Sequence, residues 1–117
     1  MTKTAADALV LGSGPGALSI ASALCKEGLK IELLSKDDPF LPWPYTYGVW
    51  GEEVDELGIA HLLQHRWSNT VSFFGQGSKN NNHVDNLPTK HDLDYGLFDK
   101  VKLQKYWLNQ CELSSVK

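Results

Sequence analysis

The stretch that decides the fold is LVLGSGPGALSIASAL, residues 9–24. An apolar run is followed by three glycines and a proline, and then by a second run of apolar and small residues. A signal peptide needs a basic start and an uninterrupted apolar run, and a membrane helix needs about 20 mostly apolar residues. The glycines interrupt the run after Leu11, so we expect neither. The remaining interpretation is a strand that turns sharply into a helix around a ligand.

Each position of the stretch fits that interpretation. Ala8–Leu11 predicts a buried strand of a parallel sheet. The segment after it matches the pattern G-x-G-x-x-[GA]: Gly12 allows a tight turn and Gly14 lets a pyrophosphate approach the backbone. Ala17 is small enough for the helix to pack on the strand. The free N–H groups of the loop and of the helix N-terminus would bind the phosphate.

The helix is expected from about Pro15 to Lys26, with Gly28 just beyond its C-terminal cap. A second strand follows over Leu29–Leu34, and the two strands should pair in parallel through a right-handed crossover. The predicted fold is therefore α/β, with a Rossmann-like βαβ dinucleotide-binding unit that forms part of a larger domain. The alternative is a plain glycine turn before a helix, which leaves the two close-approach glycines unexplained.

The acidic residue that commonly ends the second strand, where it binds the adenosine ribose, is missing. Ser35 stands at that position. A serine can still bond a ribose hydroxyl, but without charge assistance. Ser35 and Lys36 together could instead favour the 2′-phosphate of NADP.

Composition excludes several classes of partner. The chain has 117 residues and a formal net charge of −3, with no basic block, so we expect no nucleic-acid partner. At this length we expect at most one domain. Cys25 and Cys111 form no metal motif, and Cys25 fits helix packing in a reducing compartment. The expected location is cytoplasmic, with peripheral contact on a photosynthetic membrane left open.

Pro39–Trp50 combines prolines with Trp and Tyr residues and predicts a rigid loop. It could pack on the protein's own core or line a site for a flat or polyene-like ligand. Glu52–Leu63 predicts an amphipathic helix. It carries His61, four residues before His65, but no further ligand supports a metal site.

The remaining elements are predicted from shorter signals. Asn69–Phe74 predicts a strand, and residues 75–92 predict a flexible polar loop. Asp99 is a good N-cap for a final surface helix. On that helix Val101, Leu103, Trp107 and Leu108 could form an apolar stripe.

Five motifs occur in order and together resemble the amino-terminal part of the lycopene cyclases of plants and cyanobacteria. The most specific is the aromatic block within Pro42–Trp50. The motifs are Gly12–Ala17, Pro42–Trp50, Asp55–Gly58, His65–Trp67 and Tyr95–Lys100.

The resemblance implies a glutathione-reductase-like flavoprotein that binds FAD and NAD(P)H. The family catalyses a redox-neutral ring closure: an acid protonates the end of lycopene, the cation cyclises, and a base removes a proton. The flavin is held reduced by NADPH or NADH. The implied substrate is the carotenoid lycopene, and no metal is implied.

The resemblance carries cofactor-binding roles to individual positions. Lys100 stands where related flavoproteins often have an arginine, and a bidentate contact is lost there. The expected cofactor-binding residues are Gly12, Ser13, Gly14, Pro15, Gly16, Ala17, Ser35, Lys36, Tyr47, Gly48, Val49, Trp50 and Lys100.

The catalytic residues stay unassigned, because the family's later acidic motif and its substrate-binding half have no counterpart in these residues. Residues 1–117 are therefore expected to form the amino-terminal part of the FAD/NAD(P)-binding domain and not to cyclise lycopene by themselves. The alternatives are a dinucleotide-binding module without catalysis, whether stand-alone or decayed, and an NADP-dependent reductase domain.

Overall fold

The computed structural model describes residues 5–73 and 87–110, which fall into two compact units. The first unit contains residues 5–46 and 99–110, and the second contains residues 47–73 and 87–98. In chain order the elements are β1 (Ala8–Leu11), α1 (Pro15–Lys26), β2 (Ile31–Leu34), β3 (Gly48–Trp50), α2 (Gly51–Leu57), a 3-10 turn (Ala60–Leu62), β4 (Leu63–Trp67), β5 (Val71–Ser72), β6 (Thr89–Lys90), β7 (Tyr95–Phe98) and α3 (Lys100–Leu108).

The first unit is built on the βαβ segment that the sequence predicts. Strands β1 and β2 pair in parallel, with Ala8 opposite Ile31 and Leu11 opposite Leu34. Helix α1 joins them over the expected residues. It ends where Gly28 takes a left-handed φ of 84°, and the Gly28 N–H donates to the Cys25 carbonyl. The predicted strands, helix and helix stop are confirmed.

Only one face of this two-stranded sheet is buried. Alternate strand residues, among them Val10, Ile31 and Leu33, pack with α1 and are nearly inaccessible. Leu11 and Leu34, which point to the opposite face, are exposed. The expectation that β1 is buried along its whole length was therefore wrong for this structure. The two strands are covered by a helix on one face, so residues that point to the other face stay exposed.

Helix α3 packs on α1 and fixes the proline-rich loop that follows β2. Asp99 caps the helix, and its side chain accepts from the Lys102 N–H at 3.2 Å, as expected. The buried Gln104 side chain donates to the carbonyls of Pro39 and Leu41, at 2.6 and 2.7 Å. Because α3 presents this amide to two loop carbonyls, it holds the loop by hydrogen bonds as well as by apolar contact.

The stripe predicted on α3 is partly wrong. Leu103 is buried and Trp107 is half-buried, but Val101 is exposed. The buried face instead includes Gln104, which the pattern of apolar residues could not indicate.

The second unit contains an antiparallel sheet in the order β3-β7-β4. Three glycines let its elements approach closely: a Cβ at Gly48 would overlap the Tyr95 ring, and one at Gly96 would lie 2.8 Å from the Leu63 side chain. At Gly51 the added atom would lie 2.6 Å from the Arg66 guanidinium. Strands β5 and β6 form a separate antiparallel pair.

Several sequence predictions in this unit need correction. The predicted loop 39–50 ends as strand β3, since Gly48–Trp50 pairs with β7. The predicted helix 52–63 stops at Leu57, because Gly58 takes a left-handed φ of 71° and caps it. The predicted strand 69–74 is reduced to Val71–Ser72 within the described residues.

The predicted loop 75–92 is also shortened at its end. Thr89 and Lys90 form β6 and pair with β5. Residues 75–86 of that prediction lie outside the described residues.

Replacing Gln104 with leucine tests the contact between α3 and the loop. Gln104→Leu should lower the free energy of unfolding by about 1–3 kcal/mol, because two loop carbonyls lose their donor inside the protein. Urea unfolding measures the change. The same substitution at exposed Gln64, on β4, is the matched control and should stay within about 0.5 kcal/mol. Equal effects in the two variants would contradict the role given to Gln104.

Candidate functional site: the glycine loop and an aromatic pocket

The turn from β1 into α1 is made by Gly12. Its φ of 116° lies in the region that residues with a side chain rarely adopt. Its N–H donates to the Leu34 carbonyl at 2.8 Å, which joins the turn to the end of β2. A Cβ at Gly12 would lie in ordinary van der Waals contact with the Ala17 methyl group, at 3.5 Å, so the positive φ rather than lack of space favours glycine here.

The N-terminus of α1 has backbone N–H groups without an acceptor in the helix. Gly14 is the N-cap, in an extended conformation, and no side chain caps the helix. Pro15 has no N–H, and the first intrahelical bond runs from Leu18 to the Gly14 carbonyl at 3.0 Å. The N–H groups of Gly16 and Ala17 therefore have no acceptor within the helix, at its positive dipole end.

Space for a ligand lies in front of this helix end. A Cβ built on Gly14 would meet nothing within 4 Å, and the same holds for Gly16. No acidic side chain lies in the first turn of the helix. The Cβ positions of Gly14 and Gly16 are therefore unobstructed to 4 Å, and the first turn of the helix adds no negative charge.

The loop is supported by a residue that sequence reasoning did not assign to it. The indole N–H of Trp43 donates to the Ser13 carbonyl at 2.8 Å, and the Trp43 ring is buried. The ring also packs against Trp107 of α3, with centroids 6.4 Å apart. The available signal was a tryptophan flanked by two prolines, which indicated rigidity but not the partner.

Two further predicted residues follow β2 directly. Ser35 lies next to Leu34, whose carbonyl accepts from Gly12, so it is adjacent to the glycine turn. Its hydroxyl donates to the Asp37 carbonyl at 2.5 Å and keeps its lone pairs as acceptors. Lys36 is exposed. Lys100 is half-buried and opens α3.

The other predicted positions belong to the second unit. The Tyr47 carbonyl accepts from the Phe98 N–H, and residues 48–50 form β3. Trp50 contacts the Tyr95 ring edge-on at 5.3 Å and the His91 ring at 5.9 Å. These positions are therefore held by strand pairing rather than by a proline-rich loop.

His61 and His65 do not lie on one helix. His61 lies in the 3-10 turn, whereas His65 lies in β4 and stacks on Trp67 with ring centroids 5.7 Å apart. Within residues 5–73 and 87–110, no three His, Cys, Asp or Glu side chains are grouped as metal ligands. Cys25 is a half-buried free thiol, and Cys111 lies outside the described residues.

Arg66 links α2, β4 and the segment before β7. Its two terminal nitrogens donate to the Asp55 carboxylate at 2.9 and 2.8 Å, and its Nε donates to Asp94 at 2.9 Å. The hydrogen bonds from Arg66 hold the pKa of Asp55 below its ordinary value of 3.8. The two carboxylates raise the pKa of the Arg66 guanidinium in turn.

A pocket of about 370 Å³ opens on the second unit. Sequence reasoning missed it, because β3, β4, β5 and β7 bring its walls together from distant positions. The lining includes Trp50, Trp67, Val71, Ser72, His91 and Tyr95.

A family model described as lycopene cyclase protein matches residues 7–117. The chain belongs to the lycopene cyclase family.

Two curated relatives show how much of a family member these residues represent. The chain is 53% identical over 106 residues to a lycopene beta cyclase from Synechococcus elongatus, covering 91% of this chain and 23% of the relative. It is 33% identical over 112 residues to a capsanthin/capsorubin synthase from Capsicum annuum, covering 95% of this chain and 20% of the relative. The chain thus spans about a fifth to a quarter of these relatives.

A solved structure shares the fold. It is the crystal structure of a geranylgeranyl bacteriochlorophyll reductase-like protein from Thermoplasma acidophilum, with a TM-score of 0.61 and 20% identity. The match covers 90% of this chain and 27% of that chain. At this identity the likeness supports the mixed α/β fold and nothing further.

None of the helices in the described residues has the length and apolar character needed to cross a bilayer.

The ion-pair network makes stability depend on pH. Because the pKa of Asp55 is lowered in the folded state, its contribution is present at neutral pH and is lost as the pH falls through that lowered value. Asp55→Asn should therefore lower Tm at pH 7, and its difference from the parent should shrink below about pH 4. Thermal unfolding across pH measures this. Glu56→Asn, at the next exposed position, is the control, and an equal effect there would contradict the assignment.

Proposed function

We propose that this chain provides the start of the dinucleotide-binding domain of a lycopene cyclase, with the FAD pyrophosphate at the loop Gly12–Ala17. The observation that carries the proposal is the open helix end. Gly14 leaves space in front of it. The N–H groups of Gly16 and Ala17 have no acceptor in the helix and are available to an anion placed there. The residues present therefore fit the group.

The remaining contacts follow from the same geometry. Ser35 would accept a hydrogen bond from the adenosine ribose, and Lys36 would lie near it in the chain. The backbone of Ser13, fixed by the Trp43 indole, would border the pyrophosphate. We further propose that Tyr47–Trp50 and Lys100 contact the cofactor, and that NADPH or NADH keeps it reduced.

The proposed reaction is the redox-neutral cyclisation of lycopene ends, which proceeds through a cation. Bound reduced flavin would supply an electron-rich ring beside that cation. The chain's own residues would hold the cofactor at one end and exclude water from its phosphates. Because the substrate is a lipid-soluble carotenoid, peripheral contact with a membrane belongs to the same proposal.

The proton donor is not assigned to these residues. Asp55 and Asp94 bind Arg66, and Asp99 caps α3. Asp38 accepts from the Phe40 N–H at 2.9 Å. Because these carboxylates are engaged with the protein's own donors, we assign none of them as the proton donor, and we propose that residues 1–117 do not cyclise lycopene by themselves.

One observation favours a second function, an NADP-dependent reductase domain. Ser35 and exposed Lys36 replace the acidic residue at the ribose position, and a cation there suits a 2′-phosphate. A titration with NADPH beside FAD distinguishes the two functions.

Replacing Gly14 with alanine tests the phosphate site. Gly14→Ala should weaken FAD binding at least tenfold, about 1.4 kcal/mol, because its methyl group occupies the space proposed for the pyrophosphate. The fold should survive, since Gly14 has an ordinary extended backbone and the methyl group meets no protein atom. Flavin fluorescence titration measures binding, and circular dichroism measures folding.

Ile20→Ala, at an exposed position of α1 outside the glycine loop, is the control. It should keep the FAD affinity of the parent within about threefold. Equal FAD affinity in the Gly14→Ala variant and the parent would refute the assigned site. Tighter binding of NADPH than of FAD by the parent would favour the reductase instead.

A further inference from the structure

The pocket on the second unit has walls of two kinds. Its apolar walls are the rings of Trp50, Trp67 and Tyr95 and the side chain of Val71. Trp67, Tyr95 and Val71 are 45, 38 and 46% exposed, so much of this apolar surface faces water. Exposed aromatic groups gathered around a concavity are typical of ligand-binding sites.

Three polar side chains of the lining, those of Thr70, Ser72 and His91, are already engaged with partners, and Asn69 adds one further amide. The Ser72 hydroxyl and His91 Nε2 form a hydrogen bond of 2.6 Å. The Thr70 hydroxyl donates to the Leu93 carbonyl at 2.8 Å. A ligand therefore gains little by offering polar groups to these residues.

The absence of charged side chains from the described lining restricts the class of ligand further. The lining contains no Asp, Glu, Lys or Arg side chain. A charged ligand such as a nucleotide would lose hydration here without an opposite charge to compensate it. The pocket therefore suits a neutral, apolar group.

The ring arrangement favours a planar ligand. Trp50 meets Tyr95 nearly edge-on, with an interplanar angle of 76°, and this contact fixes the orientation of the indole face. A flat conjugated chain can lie against such a face over several atoms, whereas a saturated chain with staggered bonds makes fewer contacts. The cavity volume of about 370 Å³ suits one end of a long molecule.

We propose that this pocket binds the end group of a neutral polyene. The inference rests on the proposed function, which supplies a carotenoid as the substrate, and it names the residues that receive the chain end. Trp50 and Tyr95 form the wall that their ring contact fixes, and Trp67 and Val71 are the more exposed apolar residues of the lining.

The test uses the 117-residue chain and all-trans-retinol, a polyene with one ring end. Binding is followed by the fluorescence of retinol itself, so that removal of a tryptophan does not alter the reporter. Val71→Glu should weaken binding at least tenfold, because it places a charge among the aromatic rings. Leu57→Glu, at an exposed α2 position outside the lining, is the matched control and should bind retinol as the parent does.

A second pair of variants covers any loss of folding in Val71→Glu. Trp67→Ala should weaken binding and Trp67→Phe should largely restore it, because the phenyl ring keeps a flat wall. A saturated alcohol of the same chain length should displace retinol poorly. Equal retinol affinity in Val71→Glu and Leu57→Glu, no binding by the parent, or displacement by the saturated alcohol as strong as by retinol would overturn the proposal.

FAD titration of the same variants separates this inference from the proposed function. Normal FAD binding by Val71→Glu, with loss of retinol binding, supports the pocket. Normal FAD binding together with unchanged retinol binding overturns the pocket alone. Failure of the parent to bind FAD, with retinol binding that depends on Val71, overturns the cofactor site and leaves the pocket standing.

Discussion

The turn at Gly12 is the constraint on which the first unit depends. A backbone φ of 116° lets the chain leave β1 and enter α1 at once, while the Gly12 N–H stays bonded to the Leu34 carbonyl at the end of β2. The same turn brings Ala17 close enough to pack on the strand. It leaves the first N–H groups of α1 without internal acceptors. One glycine thus couples strand pairing, helix packing and the open helix end.

The aromatic loop after β2 has a structural part that its composition alone did not reveal. Trp43 donates to the Ser13 carbonyl within the glycine turn, and Gln104 donates to two carbonyls of the same loop. The prolines limit the conformations of this loop, so few hydrogen bonds suffice to fix it. We interpret this support as preorganisation, because a backbone cradle binds an anion best when its N–H groups are already oriented.

The sequence predicted the βαβ segment well because its signals are local. The apolar run, the glycines and the stop at Gly28 each act within a few residues. It did not predict β3, β4 or β7, since these strands are specified by contacts across the sheet, such as Gly48 against Tyr95. The pocket was missed for the same reason. Gly58 was present in the sequence, but the apolar pattern continues beyond it, so the helix was predicted to extend to Leu63 rather than to end at a left-handed cap.

The most direct test of the phosphate site is the amide NMR spectrum of the ¹⁵N-labelled chain during titration with FAD. The account predicts that the Gly14, Gly16 and Ala17 amides shift first and most, since their N–H groups border the proposed pyrophosphate position. ADP, which carries the same pyrophosphate, should produce the same shifts at these three amides. Saturable shifts confined to other residues, or no shift at these amides at saturating FAD, would contradict the account.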